Sequence, residues 1–119
     1  MTAKTTYALL IYGGAEKPPA ENERRALAGH RALQALASAR GELHAVARLD
    51  DAPNAKSVTR RGGGHAITDG PYIETKEWLV GFYLIDCSNE EEALERARMI
   101  CPLEDHAIEV RPVQWRWKA

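Results

Sequence analysis

No apolar run in this 119-residue chain approaches the roughly 18 residues that a membrane-spanning helix needs, so no such span is expected. Charge of one sign is not in excess either. Sixteen Lys and Arg against 17 Asp and Glu give a formal net charge of −1, which leaves no broad electrostatic footprint for nucleic acid or an anionic bilayer. Cysteine is scarce: Cys87 and Cys101 lie far apart and in no C-x-x-C spacing, and read as buried free thiols. The opening "MTAKTTYALLIYGG" has too short an apolar core, and no small-residue cleavage site, to be a secretory leader, so a cytoplasmic protein is expected. His30, His44, His65 and His106 lack the short spacings of metal motifs, and H-E-x-x-H, G-x-S-x-G, Walker and G-x-G-x-x-G patterns are absent. Neither a metal nor a cofactor is expected.

What is present describes one domain over residues 1–119. "TTYALLIYGG" is β-branched and apolar on both faces, a buried strand from Thr5 to Tyr12 stopped by Gly13-Gly14. A long helix follows, opened by prolines and ended at Gly41, with Ala26, His30, Leu33, Ala37 and Arg40 along one side. In "ELHAVARLDD" the alternation of Leu43, Ala45, Ala47 and Leu49 against Glu42, His44, Val46 and Arg48 marks a half-buried strand. "DDAPNAK" reads as a loop, and "SVTRRGGGHAIT" as two short strands across Gly62-Gly63-Gly64. "EWLVGFYLIDC" is apolar on both faces, a central strand. "SNEEEALERARMI" is a second helix capped by Ser88 or Asn89 and ended by Pro102, with Ala93, Leu94, Ala97, Ile100 and Cys101 inward. "AIEVRPVQW" is a last strand whose Pro112 suits an edge or a bulge.

That order gives an α+β fold, a ferredoxin-like antiparallel sheet with both helices on one face. Two helices cover one face only, yet two strands are apolar on both. Large side chains left in water forfeit about 1.5–3 kcal/mol each, so a second copy packed sheet to sheet is expected to cover the open face.

His30, on the inner stripe of the long helix, is either a satisfied core histidine or a general acid or base. The second role needs a carboxylate to set the tautomer, and Asp69 is the candidate. Asp69 belongs to "ITDGPYIETKEW". Turn chemistry accounts for Asp69, Gly70 and Pro71 but leaves Tyr72, Glu74, Thr75, Lys76 and Glu77 crowded at the entrance of the most buried strand, as a solvated loop or a pocket mouth. The glycine run at 62–64 reads as a hairpin turn or, less simply, an anion cradle. Arg111 beside Glu109 either pairs with it or binds an anionic substrate. Trp115 and Trp117 are expected to pack at the dimer seam or on a neighbouring helix.

Taken together, "YALLIYG", "TDGPYIETKEWLVGFYLID", "EEALERA" and "EVRPV" closely resemble, in order and over nearly the whole chain, the YCII-related family and specifically its DGPF-domain branch. Tyr72 stands where that motif usually has phenylalanine, and "AVARLDDAP" replaces a more glycine-rich run after the second strand. The resemblance implies a ferredoxin-like domain that dimerises into an α+β barrel, with a cleft between helix and sheet in which His30 and Asp69 form a catalytic pair. The function expected is that of a small-molecule lyase or isomerase in which His30 moves a proton, Asp69 orients it, and Tyr12, Tyr72, Glu74, Lys76 and Arg111 contact the substrate. The alternative that the resemblance implies is a non-catalytic metabolite-binding or regulatory module associated with sigma factors.

Overall fold

The computed structural model describes residues 3–14, 19–73, 77–101 and 106–117. In chain order the elements are β1 (Thr5–Gly14), α1 (Ala20–Ala39), β2 (Leu43–Arg48), β3 (Lys56–Arg61), β4 (Gly64–Asp69), β5 (Glu77–Cys87), α2 (Glu90–Met99) and β6 (Ala107–Pro112). A single 3-10 turn, Ala52–Asn54, interrupts the loop expected between β2 and β3. The main sheet is antiparallel with strand order β2-β5-β1-β6, the order of the ferredoxin-like plan, and β3 pairs with β4 as a separate two-stranded hairpin.

Residue parity sorts the two central strands into faces. Tyr7 pairs with Ile85 and Leu9 with Tyr83, and these four side chains are buried with Cys87 against Leu33 and Ala37 of α1 and Ala93, Ala97 and Ile100 at α2. Both helices therefore cover one face of the sheet. The opposite face carries Ala8, Leu10, Phe82 and Leu84, joined by Ala45 and Ala47 of β2, all only half-buried within the chain. This is the two-sided apolar pattern of the sequence resolved into a covered face and an uncovered one.

The helix ends follow local chemistry. Gly41, at φ 67°, ends α1: its N–H donates to the Ser38 carbonyl and that of Glu42 to the Ala37 carbonyl, the Schellman arrangement that satisfies final carbonyls. Asn89 caps α2, its side chain accepting from the Glu92 N–H at 2.9 Å, with three glutamates in the first turn. Replacing Asn89 by alanine is expected to cost about 1 kcal/mol, read as a lower melting temperature with unchanged native circular dichroism. The α2 helix ends at Met99, and Pro102, expected to end it, lies outside the described residues.

Two readings of β2 need correction. A register shift at His44 puts Leu43 against the core while Ala45 and Ala47 face the other way, so the strand does not keep one apolar side. Glu42, assigned to the polar side, is 1% exposed. Its Oε2 bonds Lys4 Nζ at 2.5 Å, and Arg40 Nε lies 3.2 Å from Oε1 as an ion pair without hydrogen-bond geometry. Arg40 is correspondingly exposed and not part of the inner stripe of α1.

The hairpin turn falls at Gly62-Gly63, both with positive φ, and Gly64 already belongs to β4. Pro112 closes β6 at the sheet edge. Both cysteines are free. Cys87 is fully buried, and burial, reinforced by the nearby Glu92 charge, pushes its thiol up to about 11, which makes it unreactive near neutral pH. No helix among the described residues is long and apolar enough to cross a membrane.

Candidate functional site

Where α1 lies over β5, the buried Tyr83 carries a phenol that must find partners. It finds them one helical turn apart on α1. His30 Nδ1 lies 2.8 Å from its oxygen and Gln34 Nε2 donates to the same oxygen at 3.2 Å, and the spacing of four residues puts both over the ring. The imidazole and phenol rings are near parallel, 5.7 Å between centroids. The bond has two forms: Nδ1–H donates to the phenol oxygen and leaves a free lone pair on Nε2, or the phenol O–H donates to Nδ1 and the proton of the neutral imidazole sits on Nε2.

Electrostatics favour that neutral state. Burial lowers the His30 pKa below its ordinary 6.5, and the positive charge of Arg48 lowers it further. Burial raises the Tyr83 pKa, an effect the Gln34 hydrogen bond partly offsets. Arg48 is brought to this face by strand register: Val46 pairs with Tyr83, and Arg48 with Gly81. Gly81 admits no larger residue, because a Cβ there would stand 2.7 Å from the Ala47 carbonyl oxygen. The close approach of β2 at Gly81 thus holds Arg48 near enough to His30 for its charge to act on the imidazole.

A second polar cluster lies on the uncovered face. Thr6 Oγ1 donates to Asp86 at 2.6 Å, and His44 Nε2 lies 2.9 Å from the other Asp86 oxygen and 3.2 Å from Arg116 Nη2. Burial pushes the Asp86 carboxyl up, but the hydrogen bonds from Thr6 and His44 and the charges of His44 and Arg116 outweigh it and leave the group lowered. Arg116 follows β6 yet reaches the opposite edge strand, so the cluster anchors the C-terminal segment across the sheet.

The residues singled out by sequence are dispersed within one chain. Asp69 does not meet His30: its carboxylate, 87% exposed, is hydrogen-bonded by Lys56, its cross-strand partner at the hairpin base. The turn after it is tied to that base, with the Gly70 N–H donating to the Ala55 carbonyl at 2.7 Å and Ser57 Oγ to the Gly70 carbonyl at 2.9 Å. Tyr72 is exposed. Tyr12 is half-buried on the uncovered face, paired with Leu79 and Ala107. Arg111 stands 3.7 Å from Glu109, the structural pairing of the two readings. Trp115 and Trp117 are exposed in the single chain. Glu74, Thr75 and Lys76 lie outside the described residues.

Sequence reasoning missed Tyr83, Gln34 and Arg48. Tyr83 was hidden in an apolar run, where a phenol reads as one more core ring. Gln34 was legible as the residue four after His30. Arg48 needed the register of β2. No group of three or more His, Cys, Asp or Glu among the described residues is placed to hold a metal ion.

An antiparallel sheet with two helices on one side and a histidine held between helix and sheet defines an α+β domain with its polar chemistry at the helix–sheet seam. The chain belongs to the YCII-related family, whose domain model matches residues 5–118. It is also 37% identical over 112 residues to an uncharacterized protein of Rhizobium meliloti (strain 1021), covering 90% of each chain.

Proposed function

We propose that the chain is a cytoplasmic small-molecule enzyme of the lyase or isomerase kind, in which His30 handles the proton. The observation that carries this reading is the 2.8 Å bond between His30 Nδ1 and the buried Tyr83 phenol. In the tautomer whose Nδ1–H donates to the phenol oxygen, Nε2 keeps its lone pair, so it can take a proton from a substrate carbon and, as the imidazolium, return it to another carbon or to the leaving group. Arg48 beside it favours a substrate that already carries a carboxylate. Tyr83 takes within one chain the orienting role that the family resemblance gives to Asp69. Substrate binding by the motif loop, including Tyr72, Glu74 and Lys76, belongs to the same reading. The test is a turnover screen over small unsaturated, hydroxylated and halogenated carboxylic acids, run in parallel on wild type and His30→Ala. Activity at the wild-type rate in a folded His30→Ala protein would rule the assignment out.

The working unit in this reading is a homodimer, closed sheet to sheet into an α+β barrel. The half-exposed Leu10, Phe82 and Leu84 support it, since each gains burial only from a second layer. Sedimentation at micromolar concentration should give twice the 13.2 kDa chain mass, and a monomer would exclude the arrangement.

One observation favours a non-catalytic module that senses a metabolite or contacts a sigma factor. Val58 and Ile67, a cross-strand pair on the β3–β4 hairpin, are 65% and 71% exposed, an apolar pair open to a partner. Stoichiometric copurification of a sigma factor, undiminished in His30→Ala, would support that reading over the enzymatic one.

A further inference from the structure

Gln34 is half-buried on α1, and its only hydrogen bond among the described residues is the one its Nε2 donates to the Tyr83 oxygen at 3.2 Å. Nothing holds its carbonyl oxygen, which is not sealed from water. Tyr83 is 0% exposed, so a phenol O–H without an acceptor would be stranded in the core at a cost that folded proteins avoid. Among the described residues the phenol meets only His30 Nδ1, at 2.8 Å, and the Gln34 amide. Its proton therefore has two destinations.

Each destination fixes the rest of the chain of bonds. With the Gln34 N–H on the phenol oxygen, the phenol O–H donates to Nδ1 and the proton of the neutral imidazole is on Nε2. A half-turn of the amide puts its carbonyl where its N–H was. The carbonyl then accepts the phenol O–H, Nδ1–H donates to the phenol oxygen, and Nε2 carries a lone pair. Both arrangements satisfy every group, whereas a mixed one strands the phenol proton or sets two oxygen lone pairs against each other. In passing from the first to the second, one proton leaves Nε2 for water and one enters the Nδ1–phenol pair from water, so the charge of the ring is unchanged. His30 Nε2 makes no hydrogen bond among the described residues and is not sealed from water, so it can exchange that proton.

We propose that Gln34 is a positioning residue that sets, through the Tyr83 phenol, which nitrogen of His30 bears the proton. At rest the amide N–H lies on the phenol and the imidazole proton on Nε2. Turning the amide makes Nε2 the proton acceptor that the lyase or isomerase reading requires, and the functional meaning of the proposal rests on that reading. Alanine at position 34 leaves Nδ1 as the one acceptor for the phenol and so holds the imidazole proton on Nε2. An ionised glutamate only accepts, so it draws the phenol O–H to itself and moves the imidazole proton to Nδ1.

The test is a long-range proton–nitrogen correlation spectrum of the His30 ring, assigned by its loss in His30→Gln. It is recorded on the full chain as wild type, Gln34→Ala and Gln34→Glu, each shown to be folded by circular dichroism and each held well above its own His30 titration midpoint. Wild type and Gln34→Ala should carry the proton on Nε2, and Gln34→Glu on Nδ1. The same tautomer in Gln34→Ala and Gln34→Glu overturns the proposal. In the turnover screen Gln34→Ala should lower kcat about tenfold with KM little changed, because it removes the arrangement that frees Nε2. A tautomer reversed in Gln34→Glu, with no turnover by any of the proteins, retires the enzymatic reading and leaves the Gln34 coupling standing. Turnover lost in His30→Ala, with one tautomer throughout, retires the Gln34 proposal alone.

Discussion

Turnover in the His30→Ala protein should fall about 100- to 10,000-fold, the usual contribution of a positioned acid or base. The tyrosine beneath it should matter less and differently. Tyr83→Phe keeps the ring in the core but removes the oxygen bonded to Nδ1, so the imidazole loses the bond that fixes its tautomer and keeps its position. A fall of roughly tenfold is expected, mainly in kcat, together with a change in the pH profile. If Tyr83→Phe leaves both rate and profile unchanged, the phenol is only a core contact.

The His30 titration adds a stability arm to the same experiment. Its folded pKa lies below the ordinary 6.5, so the unfolded chain binds the proton more readily. The stabilising contribution is complete above pH 6.5 and is lost as pH falls through the depressed folded value. Denaturation profiles of the wild type should weaken over that acid range, and His30→Gln should flatten the dependence. A His30 resonance titrating above 6.5 would contradict the burial and the Arg48 charge together.

The largest stability effect expected from one added methyl group is at Gly29. In an exposed helix, glycine to alanine stabilises by about 1 kcal/mol. Here the sign reverses. A Cβ at Gly29 would stand 2.2 Å from the Met99 carbonyl oxygen, backbone that cannot rotate away, at the point where α1 meets the end of α2. Gly29→Ala should therefore cost about 2–3 kcal/mol net, by separating the two helices or distorting the end of α2. That is a melting temperature lower by about 10 °C for a chain of this size. An equal or higher melting temperature would mean that the helices do not approach so closely.

What the chain order revealed was local. The breaks at Gly41 and Gly62-Gly63, the capping near Asn89 and the two-sided β1 and β5 follow from backbone freedom, side-chain oxygens and period-two hydrophobicity, all written in neighbouring residues. They sufficed for the α+β plan and for the stripe that placed His30 beside the sheet. Tertiary structure decided everything that depends on register across distant strands. The extra residue at His44 turned Leu43 to the core and Ala45 and Ala47 away from it, and Arg48 came into line with Gly81 on the face of Tyr83. Lys4 and Arg40 came together on a buried Glu42 that periodicity had placed in solvent. His30 and Asp69 were paired on the need for an orienting carboxylate and on family resemblance, and the hairpin carries Asp69 to Lys56 while Tyr83 fills the place beside the imidazole. Periodicity is a property of one strand or helix, whereas a site is made where several meet, and one residue of register decides which side chains share it.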